Sequence, residues 1–180
     1  MDPNAHQPRR CRRCPSPRLL AVLCLAWLPW LFTESLYASG LTRVATAPLP
    51  GPTDGPLPAL IASYRGQALI ISFWASWCEP CRQEMPSLQR LAERWRARGL
   101  AVITVAVADQ RSQIAAFLSE NELQLAVVDD RERVVSRAWG ARLLPSTVVL
   151  DRRHHIRLRG EGAIDWDSPN TDQTLQTLLK

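Results

Sequence analysis

Two nearly unbroken apolar runs dominate the chain. Ala68 to Trp74 reads ALIISFW and Ala101 to Val107 reads AVITVAV. Both are rich in β-branched or aromatic side chains, as expected of strands covered on both faces. Between them Met85, Leu88, Leu91 and Trp95 recur every three or four residues among Arg and Glu, with Gly99 following. That is the stripe of an amphipathic helix with a glycine stop. Ile114, Phe117 and Leu118 predict a further helix, Leu125–Val128 a short strand and Val134–Trp139 another helix. Thr147–Leu150 and Ile156–Leu158 predict a hairpin turning around Asp151–His155. Ser168-Pro169 has the order of an N-cap and a first helical proline, opening a last helix to Leu179. Alternating strands and helices that finish in a hairpin and a helix predict an α/β fold, with a mixed central sheet flanked by helices.

The N-terminal pattern differs. Leu19–Phe32 is an apolar run of 14 residues behind an Arg-rich segment. A helix crossing the hydrocarbon needs about 20, so a signal-peptide core is the better fit, cleaved near Ala38-Ser39-Gly40. An uncleaved membrane anchor is the other reading; either one predicts an extracytoplasmic domain. Ala47–Pro58, APLPGPTDGPLP, holds five of the 14 prolines. It reads as a semi-rigid spacer or, slightly preferred, as an edge hairpin turning at Asp54-Gly55. The expected organisation is therefore a signal or anchor over residues 1–40, a linker over 41–46 and one domain over 47–180.

Composition narrows the function. With 180 residues, 46% hydrophobic and 22% charged, the chain has material for one packed domain and an extension. The net charge of +5 is weighted to the leader: residues 1–40 carry five arginines against two acids, leaving 17 basic and 15 acidic side chains beyond. No basic stripe interleaved with aromatics follows, which argues against a nucleic-acid ligand. Of five cysteines, Cys11, Cys14 and Cys24 lie in the leader, leaving Cys78 and Cys81. Two cysteines three apart cannot staple distant parts of a fold, so the pair serves chemistry or metal.

Trp77-Cys78-Glu79-Pro80-Cys81 joins a buried strand to an amphipathic helix. Proline favours the first helical turn, so Pro80 puts Cys78 at the helix N-terminus, where free N–H groups and the helix dipole favour a thiolate. Cys81, one turn on, is the second thiol needed to resolve a mixed disulfide. A zinc site would require two more ligands, and His154 and His155 fall in a predicted turn, so no metal is assigned here. Cys11-Arg-Arg-Cys14 shares the spacing but has no strand before it and no helix after it.

The segment Phe73-Trp-Ala-Ser-Trp-Cys-Glu-Pro-Cys-Arg-Gln-Glu-Met-Pro86 closely resembles the active-site segment of thioredoxin-like proteins of the TlpA/ResA type. Leu143-Leu-Pro-Ser-Thr-Val-Val-Leu-Asp151 resembles their cis-proline segment, and Gly160–Pro169 their closing segment. The resemblance implies a thioredoxin-like fold and an exported, often membrane-tethered thiol–disulfide reductase. It implies protein disulfides of the cell envelope as substrates, for example in cytochrome c maturation, and a membrane thiol–disulfide transporter as electron donor; no cofactor is implied. Pro145 would be the cis-proline, with Leu144 offering its backbone to substrate, and Trp77 would stand at the docking rim. Trp74 and Trp139 are expected to pack around the motif.

Where thioredoxins carry a buried aspartate this chain has Ser72. Glu84, one turn beyond Cys81, is then the candidate base for that thiol. Glu79 opposes thiolate formation, which favours a reductant. The alternatives are an oxidase or isomerase, a peroxidase, and a thiol-based metal-binding module.

Overall fold

The computed structural model describes residues 40–50 and 56–178. The leader with Cys11, Cys14, Cys24 and the apolar run 19–32, the Asp54-Gly55 turn and Leu179 lie outside the described residues. The elements are β1 (Thr42–Ala47), α1 (Pro56–Ser63), β2 (Ala68–Trp74), α2 (Glu79–Trp95), β3 (Leu100–Val107), α3 (Arg111–Glu120), β4 (Ala126–Asp130), α4 (Val134–Trp139), β5 (Ser146–Leu150), β6 (Ile156–Glu161) and α5 (Pro169–Gln176). They form one six-stranded mixed sheet in the order β1-β6-β5-β2-β3-β4, covered by helices on both faces. This is the thioredoxin-like α/β fold.

Strands β2, β3 and β4 are parallel, and β5, β6 and β1 continue the sheet antiparallel. Right-handed crossovers between successive parallel strands put α2 and α3 on the same face. There Met85, Leu88, Leu91 and Trp95 of α2 pack with Phe117 of α3, Leu175 of α5 and the sheet residues Ile70, Trp74 and Val149. The opposite face buries Leu57 and Ile61 of α1 and Val135 and Trp139 of α4 against Leu69, Ile71 and Phe73. Every residue of β2 is buried, as its unbroken apolar run requires. Helix α2 passes into a 3-10 turn, Arg96–Arg98, and stops at Gly99, whose φ of 78° lies in the left-handed region that glycine enters without a Cβ clash. Ser168 caps α5 by accepting a hydrogen bond from the Thr171 amide.

Two expectations about the N-terminal part are corrected. Residues 41–46 are not a linker, because Thr42–Ala47 is β1 and pairs with β6 at Thr42↔Arg159 and Arg43↔Leu158. The second strand expected of an edge hairpin is not there either: β1 finds its partner far along the chain, and Pro56–Ser63 is helical. Pro56 and Pro58 fit the first turn of α1, where the N–H groups have no intrahelical partner to lose. No helix among the described residues is long and apolar enough to cross a membrane.

Candidate active site

Cys78 is the N-cap residue of α2, with φ −93° and ψ 105°, and Pro80 sits in the first turn. The extended backbone at Cys78 follows from the tight turn leaving β2, which the Cys78 amide closes onto the Ala75 carbonyl at 3.1 Å. Cys78 and Cys81 are joined by a disulfide, with Cα atoms 5.3 Å apart. The structure is therefore that of the oxidised form. Cys78 is 7% exposed and Cys81 1%, so solvent and partners reach Cys78 first. Glu79, the first residue of α2, turns along the helix and accepts a hydrogen bond from Gln83 Nε2 at 3.0 Å.

The end of β3 braces the turn before Cys78. Asp109 is buried; its carboxylate accepts from the Ser76 hydroxyl at 2.9 Å and also from the Ser76 and Gln110 amides. The Trp77 indole N–H donates to the Ala108 carbonyl at 3.3 Å, while 59% of the residue stays exposed. Trp74 and Trp139 lie in the two cores, against Phe117 and Phe73 respectively. Across from the cysteines the Leu144–Pro145 peptide is cis. Pro145 accepts a hydrogen bond from the Gly162 amide, whereas no described residue hydrogen-bonds the backbone of Leu144.

Behind Cys81, on the same side of α2, Glu84 is 5% exposed. Its Oε1 accepts a hydrogen bond from the Trp166 indole at 2.5 Å, and Oε2 is buried without a full hydrogen bond. Burial raises the Glu84 pKa from 4.5 to about 7, against the Trp166 indole and the Ile164 amide, which both favour the carboxylate. The sheet beneath is polar at this point. Ser72 of β2 is in register with Thr104 of β3 and Thr147 of β5, and all three are buried. Three hydroxyls thus occupy the row where thioredoxins place an ionisable group.

A groove of about 640 Å³ opens beside Cys78, between Trp77 and Pro80 on one side and Leu143 and Leu144 on the other. Arg133, Arg137 and Arg142 line it as well. Sequence reasoning picked out Trp77, Cys78, Glu79, Pro80, Cys81, Glu84, Leu144 and Pro145, and the structure gathers them around the start of α2. It missed Asp109, the three arginines and the role of Trp166, whose only sequence signal was its place in the closing segment. His154 and His155 sit in the β5–β6 turn, away from the cysteines. Among the described residues no group of three or more His, Cys, Asp or Glu is placed to hold a metal.

The chain is similar to known proteins in sequence and in fold. The chain spans about half the length of the curated relatives it matches. It is 29% identical over 97 residues to the thiol-disulfide oxidoreductase ResA of Geobacillus thermodenitrificans, covering 54% of this chain and 56% of that one. A secreted thiol-disulfide isomerase from Corynebacterium glutamicum superposes with a TM-score of 0.59 at 25% identity, over 66% of this chain and 72% of that one. A DsbF homologue from Corynebacterium diphtheriae gives 0.63 over 81% and 97%, and at 21% identity this likeness concerns the fold alone. The model of the AhpC/TSA family matches residues 58–159, which run from within α1 to within β6 and include both cysteines and Pro145, and the chain belongs to that thioredoxin-like family.

Proposed function

We propose that this chain is a thiol–disulfide oxidoreductase that reduces protein disulfides outside the cytoplasm. The observation that carries the reading is the pairing of Cys78 and Cys81 at the N-terminus of α2, the former open to the groove and the latter backed by Glu84. In the reduced form the helix dipole and the free N–H groups of the first turn stabilise the Cys78 thiolate. That thiolate attacks one sulfur of a substrate disulfide, forming a mixed disulfide and releasing the other sulfur as a thiol. Cys81 then gives up its proton and attacks Cys78 Sγ, which regenerates the Cys78–Cys81 disulfide and frees the second substrate thiol. Two electrons and two protons pass to the substrate, and no cofactor is needed. Glu84, with a pKa near the working pH, accepts the proton of the shielded Cys81.

An extended substrate segment lies along Leu144 and Pro145, pairing with the unpartnered Leu144 backbone, with Trp77 as the rim. Glu79 and Pro80 tune the couple. A carboxylate beside Cys78 disfavours the thiolate and so the reduced form, which suits a reductant. A dithiol donor in the membrane, of the thiol–disulfide transporter type, returns the two electrons. The similarity to a secreted isomerase and the apolar run behind the Arg-rich segment support an extracytoplasmic place, with residues 19–32 serving as cleaved signal or anchor. Envelope proteins, those of cytochrome c maturation among them, are the proposed substrates.

Insulin reduction coupled to a dithiol donor tests the mechanism. Cys78→Ser abolishes turnover, and Cys81→Ser accumulates a mixed disulfide visible by mass spectrometry. Full activity in Cys78→Ser overturns the reading, and equilibration with glutathione buffers separates reductase from oxidase by the potential of the couple.

A further inference from the structure

We infer that the groove beside Cys78 selects substrates by charge, taking an extended protein segment whose disulfide is flanked by acidic residues. The inference rests on the exchange chemistry above and adds the substrate class. Three arginines within ten residues surround the groove: Arg133 just before α4, Arg137 on it and Arg142 in the loop leading to the cis-proline. No acidic residue lines the groove; of the two acids adjacent to its lining along the chain, Glu79 is held by Gln83 along α2, and Glu132 lines a separate pocket with Arg111 and Arg131.

These arginines differ from others in the protein. Arg90 and Arg94 pair with Asp167, Arg111 with Asp129 and Arg157 with Asp151, and Arg159 donates to the Trp139 carbonyl. The side chains of Arg133, Arg137 and Arg142 are exposed and make no hydrogen bond, ion pair or ring contact with a described residue. Like charges gathered without compensation destabilise the fold slightly, so an anionic partner relieves them. Arg133 also holds a left-handed backbone, φ 58°, which costs energy for any side chain with a Cβ. Its neighbourhood enforces that conformation, because the Asp130 carboxylate pins the Val135 and Ser136 amides immediately after it.

The apolar part of the groove complements this charge. Leu143 and Trp77, 65% and 59% exposed, are two of the three large hydrophobics left open on the described surface. Both line the groove. The fitting ligand therefore presents apolar side chains to Trp77 and Leu143, main chain to Leu144 and carboxylates to the arginines. Guanidinium groups suit carboxylates through paired N–H donors.

The test uses the reduced full chain and three disulfide peptides with one core and acidic, neutral or lysine-bearing flanks. Oxidation is followed by stopped-flow tryptophan fluorescence. The acidic peptide reacts fastest at low salt, by on the order of 10-fold over the lysine peptide, as expected for steering into a charged cleft. The difference closes at about 1 M salt, where the screening length is ~3 Å. Arg137→Glu combined with Arg142→Glu inverts the order. Arg153→Glu removes the same kind of charge from the β5–β6 turn, at the opposite end of β5 from Pro145, and keeps the order. Equal rates for the three peptides in the wild-type chain overturn the inference and leave the exchange chemistry standing. Failure of every peptide to oxidise the protein overturns the exchange reading itself, and the inference with it.

Discussion

At Glu84, burial works against the charge while the Trp166 indole and the Ile164 amide work for it, and the net result is a pKa of about 7 instead of 4.5. The folded chain holds this proton more tightly than the unfolded chain, so stability falls as pH rises through that window. The contribution is complete below about pH 4.5 and gone once pH has passed about 7. At ~1.4 kcal/mol per pKa unit the loss is about 3 kcal/mol. Glu84→Gln keeps an oxygen for the Trp166 indole but cannot titrate. Urea unfolding at pH 5 and pH 8 should therefore show a steeper fall for the wild type than for Glu84→Gln; parallel falls would assign the titration elsewhere. The same substitution should slow resolution of a mixed disulfide by about 10²–10⁴-fold, because it removes the base proposed for Cys81.

At the scale of elements, helix α4 depends on a residue outside it. Its N-cap position is Arg133, which offers no side-chain acceptor, and the first-turn amides of Val135 and Ser136 bond instead to the Asp130 carboxylate at 3.0 and 2.8 Å. Asp130 is 4% exposed and closes β4, so one carboxylate ties strand to helix. Hydrogen bonds to a charged acceptor contribute about 1.5–3 kcal/mol each, and the amides would be left buried without it. Asp130→Ala should cost about 3 kcal/mol or more in denaturant unfolding. Asp130→Asn, which retains one acceptor oxygen, should recover part of this. Because α4 carries Arg137 and follows Arg133, the alanine variant should also blunt the charge preference of the groove.

Across the whole molecule, the sheet begins earlier than the linker expected for residues 41–46. Leu41, just before β1, packs on the core of the α2 face, and Val44 and Ala47 of β1 pack on the opposite core. Arg43 donates to the Thr177 hydroxyl at 2.8 Å, joining the first strand to the end of the chain's last described helix. A chain starting at residue 40 should therefore unfold at a higher temperature than one starting at residue 48. Two or three partly buried aliphatic side chains contribute about 2–3 kcal/mol, which corresponds to roughly 5–10 °C in a domain of this size. Equal melting temperatures would return residues 41–47 to the role of a spacer.

What the sequence determined by itself are the features whose cause is local. Unbroken β-branched runs placed β2 and β3, a period near 3.6 placed the core face of α2, Gly99 placed its stop, and Ser168-Pro169 placed the start of α5. The Cys78–Cys81 pair at a helix start was legible for the same reason, since spacing and Pro80 fix it within one turn. The Leu144–Pro145 geometry was legible only through resemblance, because local pattern does not distinguish cis from trans. Tertiary structure alone decided the pairing of β1 with β6, the Asp109 brace, the Trp166 contact that holds Glu84, and the gathering of Arg133, Arg137 and Arg142 around Cys78. Hydrophobic periodicity reports which way a side chain faces on its own element. Which distant residue meets it there depends on strand order and crossover, and these are set only when the whole sheet is assembled.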